Sequence, residues 1–373
     1  MSRERLARSI DWQARSCAEL GSPLYAALLP YVAHDVRAGG VCARVLAGYE
    51  DAPGPDAVAL RLLGGVHALA LTGGAPELAA LYADAPPGAP GPDRSRAVWD
   101  TFRGTVDGAT AWVRDWMTRP PQTNETGRAN LLLPGALYAV ARLSAERAGG
   151  TAGGGGALPV RLFELGASGG LNLRADRFHH AAPGLAWGPA DSPVRLPADA
   201  WRGPVPAWLA DAARRHPALD VVGRAGCDLH PVDPLSADGA LALRAYLWPD
   251  QRERAARLAG ALRLAAEVPA RVERLGVTEF LAGITLEPGT VTVVWHSIMR
   301  QYVPRGEWAR AEAELERLAR ASGPDAGFAY VTFEPEPVPD GGTPCRLAVR
   351  VGAGPRRLLA GGAAHGLPAY GLD

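Results

Sequence analysis

From Arg3 to about Arg147 the apolar residues return every three or four positions, as in Ala59, Leu62, Leu63, Val66, Leu69 and Ala70. That spacing predicts helices, and strand-like alternation is hard to find in this half. Pro and Gly clusters at residues 52–55 and 85–92 break the pattern, with further helical runs expected around 97–117 and 129–145. The run Gly149-Gly150-Thr151-Ala152-Gly153-Gly154-Gly155-Gly156 reads as a flexible linker, because glycine has the most backbone entropy to lose on ordering. Beyond it the pattern changes. Short apolar runs rich in β-branched or aromatic residues at 160–165, 220–227, 290–296 and 328–333 alternate with helical patterns at 251–267 and 307–321. Strands alternating with helices predict an α/β fold with a mostly parallel sheet covered on both faces. Residues 345–351 and 356–360, around Gly352-Ala353-Gly354-Pro355, predict a C-terminal β-hairpin. The expected organisation is a helical domain over 1–148, a glycine-rich linker over 149–158 and an α/β domain over 159–373.

Composition narrows the function classes. The 39 basic and 39 acidic residues cancel, leaving no electrostatic footprint for nucleic acid and no polybasic attraction to a membrane. Every basic residue is Arg, which excludes catalytic lysine chemistry; with abundant Ala, Gly and Pro it also suggests a GC-rich bacterial bias, which weakens any single Arg as a sign of phosphate binding. Cys17, Cys42, Cys227 and Cys345 lie far apart with no CxxC pair, against both structural zinc and a disulfide scaffold. Residues 1–8 lack an apolar signal core, and no uncharged apolar run reaches the roughly 18 residues of a membrane span. A cytoplasmic protein with a small-molecule partner is expected; the oligomeric state is not readable.

Chemistry concentrates after the first expected strand. Glu164-Leu165-Gly166-Ala167-Ser168-Gly169-Gly170 is followed by Leu171-Asn172-Leu173, which can open a helix whose free N–H groups would face a ligand. The same residues also read as a tight turn that binds nothing, or as Gly166-x-Ser168-x-Gly170, a nucleophile elbow with Ser168 as nucleophile and His365 as base. The residues before the turn look helical and no His-Gly-Gly segment precedes it, against the elbow.

The motif Glu-x-Gly-x-Ser-x-Gly resembles the first motif of class I S-adenosylmethionine-dependent methyltransferases. Further segments, Leu62 to His67, Gln122 to Arg128, Asp176-Arg177-Phe178, Gly226 to Asp233, Trp248 to Gln251 and Trp295-His296-Ser297, together resemble an actinobacterial family of unknown function that is itself similar to those methyltransferases. The resemblance implies a Rossmann-like domain binding S-adenosylmethionine through Glu164, Gly166, Ser168, Gly170 and Asp228, with Asp228 on the ribose hydroxyls. Asp228 lies far beyond the roughly 20 residues of a dinucleotide-type spacing, so an insertion around 174–218 is expected. In the third-strand segment Leu275 to Glu279, Val277 stands where methyltransferases usually carry an acidic residue for adenine. That departure favours two alternatives: a cofactor-free enzyme gripping an anionic metabolite with the glycine turn, Arg128 and Arg300, or a non-catalytic ligand-binding protein.

Other residues add candidate chemistry. Gln122, Asn124, Glu125 and Arg128 read either as an active-site lid over the mouth of the sheet or as an N-cap and solvated first turn. His296, at the end of the fourth strand, reads as a general base with Ser297, Arg300 and Tyr302 beside it, or as a histidine that only packs. The catalytic set is thus His296, Glu125 and Tyr302, and the substrate set Asn124, Arg128, Asn172, Asp233 and Arg300, in a cleft between the two halves. His179-His180, adjacent and without a third ligand, is not expected to bind metal.

Overall fold

Strands covered on both faces read as near-continuous apolar runs, and Thr290–Ser297 is such a run, with Val291, Val293, Val294 and Trp295 fully buried. In the structure, a computed structural model, it lies within an eight-stranded sheet. Residues 2–54, 56–149, 158–338 and 342–372 are described. In chain order the sheet strands are β1 (Val160–Leu165), β2 (Val221–Asp228), β3 (Arg271–Arg274), β4 (Thr290–Ser297), β5 (Ala326–Pro335), β6 (Cys345–Val351), β7 (Arg357–Gly362) and β8 (Ala369–Gly371). Across the sheet they run 8-7-6-5-4-1-2-3. The five from β5 to β3 are parallel, and β6 to β8 continue as an antiparallel meander that includes the hairpin at 345–362. Between β1 and β4 the chain order reverses. In open α/β sheets such a reversal is where ligands usually bind, beyond the carboxyl ends of the two strands.

Each face of the sheet is covered. Leu165, Val294 and Phe328 pack with Phe280, Trp308 and Leu315, so helices Val277–Ala282 and Arg305–Ala321 cover one side. Helix Ala129–Arg147 covers the other: a Cβ on Gly135 would lie 2.6 Å from the Val331 side chain, so only glycine permits this approach. Between β1 and β2 comes the expected insertion. It holds a three-stranded sheet of His179–Ala182, Leu185–Trp187 and Arg195–Leu196, then helix Ala207–Arg215. A bidentate pair from Arg224 on β2 to Asp176, 2.8 and 2.7 Å with both side chains almost wholly buried, fastens the start of the insertion to the sheet.

The chain divides into two compact units, Met1–Thr123 with Ser236–Ala255, and Asn124–Leu235 with Ala256–Asp373. This differs from the division expected at the glycine run. Residues 150–157 of the expected linker lie outside the described residues, and helix Ala129–Arg147, expected in the helical domain, packs on the sheet instead.

The first unit is helical, and the excursion 236–255 completes it. Asp250 accepts from Ser22 Oγ at 2.7 Å and from the Leu24 N–H at 2.9 Å, capping helix Pro23–Ala38. His67 Nδ1 lies 3.1 Å from the Ala245 carbonyl, and burial pushes its pKa down to about 4. The Tyr246 ring rests on Gly64. The Leu62-to-His67 and Trp248-to-Gln251 segments are thus explained by packing within this unit. Among the described residues no single helix is long and apolar enough to cross a membrane; Val58–Leu71 with Pro76–Ala83 is apolar but bends by 100° between them.

Two glycine substitutions should move stability in opposite directions. A Cβ at Gly64 would meet the Tyr246 ring at 2.6 Å, so Gly64→Ala is expected to cost roughly 1–3 kcal/mol through overpacking. Gly104, inside helix Pro92–Gly108 with open space around its Cβ position, should gain about 0.5–1 kcal/mol as Ala. Urea midpoints of the two variants check both signs.

Candidate functional site

The turn after β1 is built from backbone conformations that few residues tolerate. Gly166 and Gly170 have φ of 67° and 66°, and a Cβ on either would come within 2.9 Å of Met299 or 2.8 Å of Val272. Ser168, between them, has φ 51° without being glycine, and Ile298, just past β4, has φ 49°. Among the described residues of the second unit these are the two non-glycine residues in the left-handed region, and they flank the strand-order reversal. Such strain persists only where surrounding contacts enforce it.

Those contacts come from β2. Asp228 Oδ2 accepts the Ser168 N–H at 2.9 Å while its Oδ1 accepts the His230 N–H at 2.8 Å. The Ala167 N–H donates to the Cys227 carbonyl at 2.9 Å, and the Val232 N–H to the Ser168 carbonyl at 3.2 Å. The turn does not open an α-helix as expected. Leu171–Arg177 is a 3-10 segment, and its first N–H, that of Leu171, donates to Asn124 Oδ1 at 2.7 Å. The Gly170 N–H is turned to the Ala167 carbonyl at 2.7 Å. These donors are aimed at the protein's own acceptors, so the anion nest expected from the glycines is largely closed.

The 122–128 segment is drawn to this turn. Besides Asn124, the Asn172 amide donates to the Glu125 carbonyl at 3.3 Å, and Glu125 Oε1 accepts the Gly127 N–H at 2.9 Å. Arg128 reaches the Ser297 carbonyl at 3.3 Å and the Ala364 carbonyl at 3.2 Å, tying the end of β4 to the C-terminal segment. Glu125 is 5 % exposed. Asn124 thus accepts from the distant turn after β1 and Glu125 from the nearby Gly127, and residues 125–127 are buried rather than the solvated first turn expected of an N-cap.

Glu164 is the chemically unusual group. It is 2 % exposed, and burial pushes its pKa up to about 8, against the smaller lowering effects of the Trp295 and Asn172 side chains and the Arg128 and Arg174 charges. At neutral pH it is chiefly a neutral carboxylic acid. Its Oε2, Trp295 Nε1 and Asn172 Oδ1 are all buried and close no hydrogen bond of good geometry with protein groups. Unsatisfied buried polar atoms are costly, and three together at the ends of β1 and β4 are what a polar ligand group could satisfy. Trp295 was not among the expected site residues, although its register opposite Glu164 follows from the parallel β1–β4 pairing.

His296 does not join this cluster. It follows Trp295 and so points to the opposite face, where its ring meets Trp308 edge-on at 5.4 Å. Both its nitrogens are engaged, Nδ1 with Glu334 and Nε2 with the Tyr330 hydroxyl, each at 2.6 Å. Glu334 and Tyr330 come from β5 and were not anticipated; their period-two spacing along that strand was the only available signal. Arg300 stacks over Trp308 at 4.6 Å, Tyr302 is 77 % exposed, and Asp233 accepts the Leu235 N–H at 2.9 Å in a turn. His179 and His180 lie on a strand, and burial pushes the His180 pKa down to about 4.

A family model described as an uncharacterized protein conserved in bacteria (DUF2332) matches residues 7–369. The chain belongs to this family. No curated protein and no solved structure matches it. The DUF2332 match spans both units.

Because folded Glu164 keeps its proton to about pH 8 and the unfolded carboxyl releases it near 4.5, stability should be full below about pH 4.5 and fall as pH rises toward 8. Glu164→Gln removes this loss. Urea midpoints between pH 5 and 8 should decline more steeply for the native chain than for the variant, by an amount on the order of a few kcal/mol; parallel profiles would show that Glu164 is ionised in the fold.

Proposed function

We propose that this DUF2332 protein is an S-adenosylmethionine-dependent methyltransferase-like enzyme with a Rossmann-like domain, acting on a small metabolite. The observation that carries the reading is the parallel order 3-2-1-4-5, with the glycine turn ending the first strand and Asp228 ending the second, both beside the reversal. The residues fit the ribose and the purine in part. Each Asp228 oxygen accepts one backbone N–H and keeps a lone pair for a ribose hydroxyl. Leu229, next to it and 59 % exposed, offers an apolar surface to a flat base. Neutral Glu164 can donate a hydrogen bond to a carboxylate, which an ionised residue there would repel. Val277 does not help: β3 ends at Arg274, and Val277 begins a short helix with its side chain in the core.

The cofactor, when bound, supplies an electrophilic methyl group. The chain supplies orientation: Asp228 fixes the sugar, the glycine turn lets the ligand approach the backbone, and Arg128 with Asn124 holds the loops at the ends of β1 and β4. A second reading, hydrolysis through Ser168, retains one supporting observation, the left-handed φ of 51° in a sharp turn directly after a strand.

Calorimetric titration with S-adenosylhomocysteine and S-adenosylmethionine tests both. A Kd of micromolar order, corresponding to about 8 kcal/mol, is expected, weakened at least tenfold by Asp228→Ala and by Leu229→Ser. No binding to the intact protein would overturn the methyl-transfer reading, and fluorophosphonate labelling of Ser168 would then establish the hydrolytic one.

A further inference from the structure

On the face of the sheet opposite Glu164, three side chains line up. Glu334 Oε1 lies 2.6 Å from His296 Nδ1, and His296 Nε2 lies 2.6 Å from the Tyr330 hydroxyl. Glu334 also accepts the Met299 N–H at 3.0 Å and the Arg300 N–H at 3.4 Å, both charge-assisted bonds available only to an acceptor. Burial alone would raise its pKa, but the His296 contact and these N–H groups hold the carboxyl below the usual range. An ionised Glu334 fixes the proton of His296 on Nδ1, which leaves Nε2 as the acceptor of the tyrosine O–H. This is the geometry of a nucleophile or base, an imidazole and an orienting carboxylate, with a phenol in the first place. A purely structural histidine needs no such chain: the ring is already packed against Trp308.

We propose that Tyr330, His296 and Glu334 form a second reactive site, a proton relay in which the Tyr330 oxygen is the base for a substrate presenting an O–H or N–H group. The class of substrate follows from the hydrogen bonds. With its own proton committed to His296, the phenol oxygen has only acceptor lone pairs to offer outward, so its partner is a donor. Burial first, then the Glu334 and Glu312 carboxylates, push the Tyr330 pKa well up against the opposing Arg356 and Arg300, so the phenol keeps its proton for His296, and the nearby carboxylates suit a neutral hydroxyl or an ammonium. In the step itself the substrate proton passes to the Tyr330 oxygen as the phenol proton moves to His296 Nε2. The imidazolium so formed faces Glu334, and the substrate keeps its electron pair as a nucleophile. Tyr330 is half-buried, whereas His296, which takes the phenol proton, and Glu334, which orients the imidazole, are buried behind it and act on the substrate only through Tyr330.

A benzenesulfonyl fluoride carrying an ammonium group reads this reactivity without any cofactor, so its outcome is independent of the methyl-transfer reading. The Tyr330 oxygen bonds to sulfur, the S–F bond breaks, fluoride leaves and the phenol proton goes to His296. Mass mapping should find Tyr330 modified faster than Tyr302, even though Tyr302 is 77 % exposed. His296→Gln and Glu334→Gln should slow it roughly tenfold or more, the low end of general-base effects. Faster reaction at Tyr302, or an unchanged Tyr330 rate in His296→Gln, overturns the proposal. Should the variants fail to fold, long-range proton–nitrogen spectra of the native chain decide: a proton on Nδ1 and none on Nε2 is expected, and a protonated Nε2 overturns the relay.

Discussion

The carboxyl edge of the sheet depends on one hydrogen bond, from the Ser168 N–H to Asp228. That bond turns the backbone at Ser168 into a conformation a serine resists, and so decides where the glycines on either side must point. With the turn drawn toward β2, Gly170 exposes its carbonyl to Arg174 at 2.8 Å, and the Leu171 N–H meets Asn124. Arg174 in turn is anchored on the Val268 carbonyl at 2.7 Å, and burial lowers its pKa only to about 10, so it stays charged at neutral pH. A single carboxylate thus helps set which way the backbone groups of the turn face.

Two glutamates on strands either side of β4 illustrate how surroundings select protonation state. Glu164 and Glu334 are both buried, yet Glu164 is held neutral and Glu334 ionised. The difference lies in the donors. Glu334 receives two backbone N–H groups and an imidazole, whereas an oxygen of Glu164 closes no bond and the Arg128 and Arg174 charges act on it only through space. Because strands alternate their faces, the sheet keeps these two chemistries apart with no other partition.

Much of the architecture could be read from residue pattern because the central strands are buried on both sides. β4 and β5 are buried at most positions and rich in Val, Thr and aromatic residues, so their runs stand out. β3, Arg271–Arg274, is a short edge strand of two Arg, one Glu and one Val, which has no apolar run to find; the third strand was therefore sought a few residues too late. The domain division was misplaced for a related reason. Glycine marks where a chain can bend, whereas helix Ala129–Arg147, buried around most of its circumference, belongs wherever it finds cover. In the site, the glycine turn and Asp228 were legible from local sequence. His296 was legible as a residue but not in its direction, since one step of strand parity separates it from Trp295, and its partners on β5 become neighbours only through the pairing of β4 with β5.

The excursion 236–255 gives the first unit a chain order that matters while the protein is being made. Its helices emerge from the ribosome early, but Asp250, which caps helix Pro23–Ala38, and Tyr246, which covers Gly64, are synthesised only after β1 and β2. Domains that occupy one continuous stretch fold as soon as they are released. Here the nascent helix has only its Ser22 cap on the Tyr25 N–H, Gly64 lacks its Tyr246 cover, and the first unit is complete only when translation has passed residue 255.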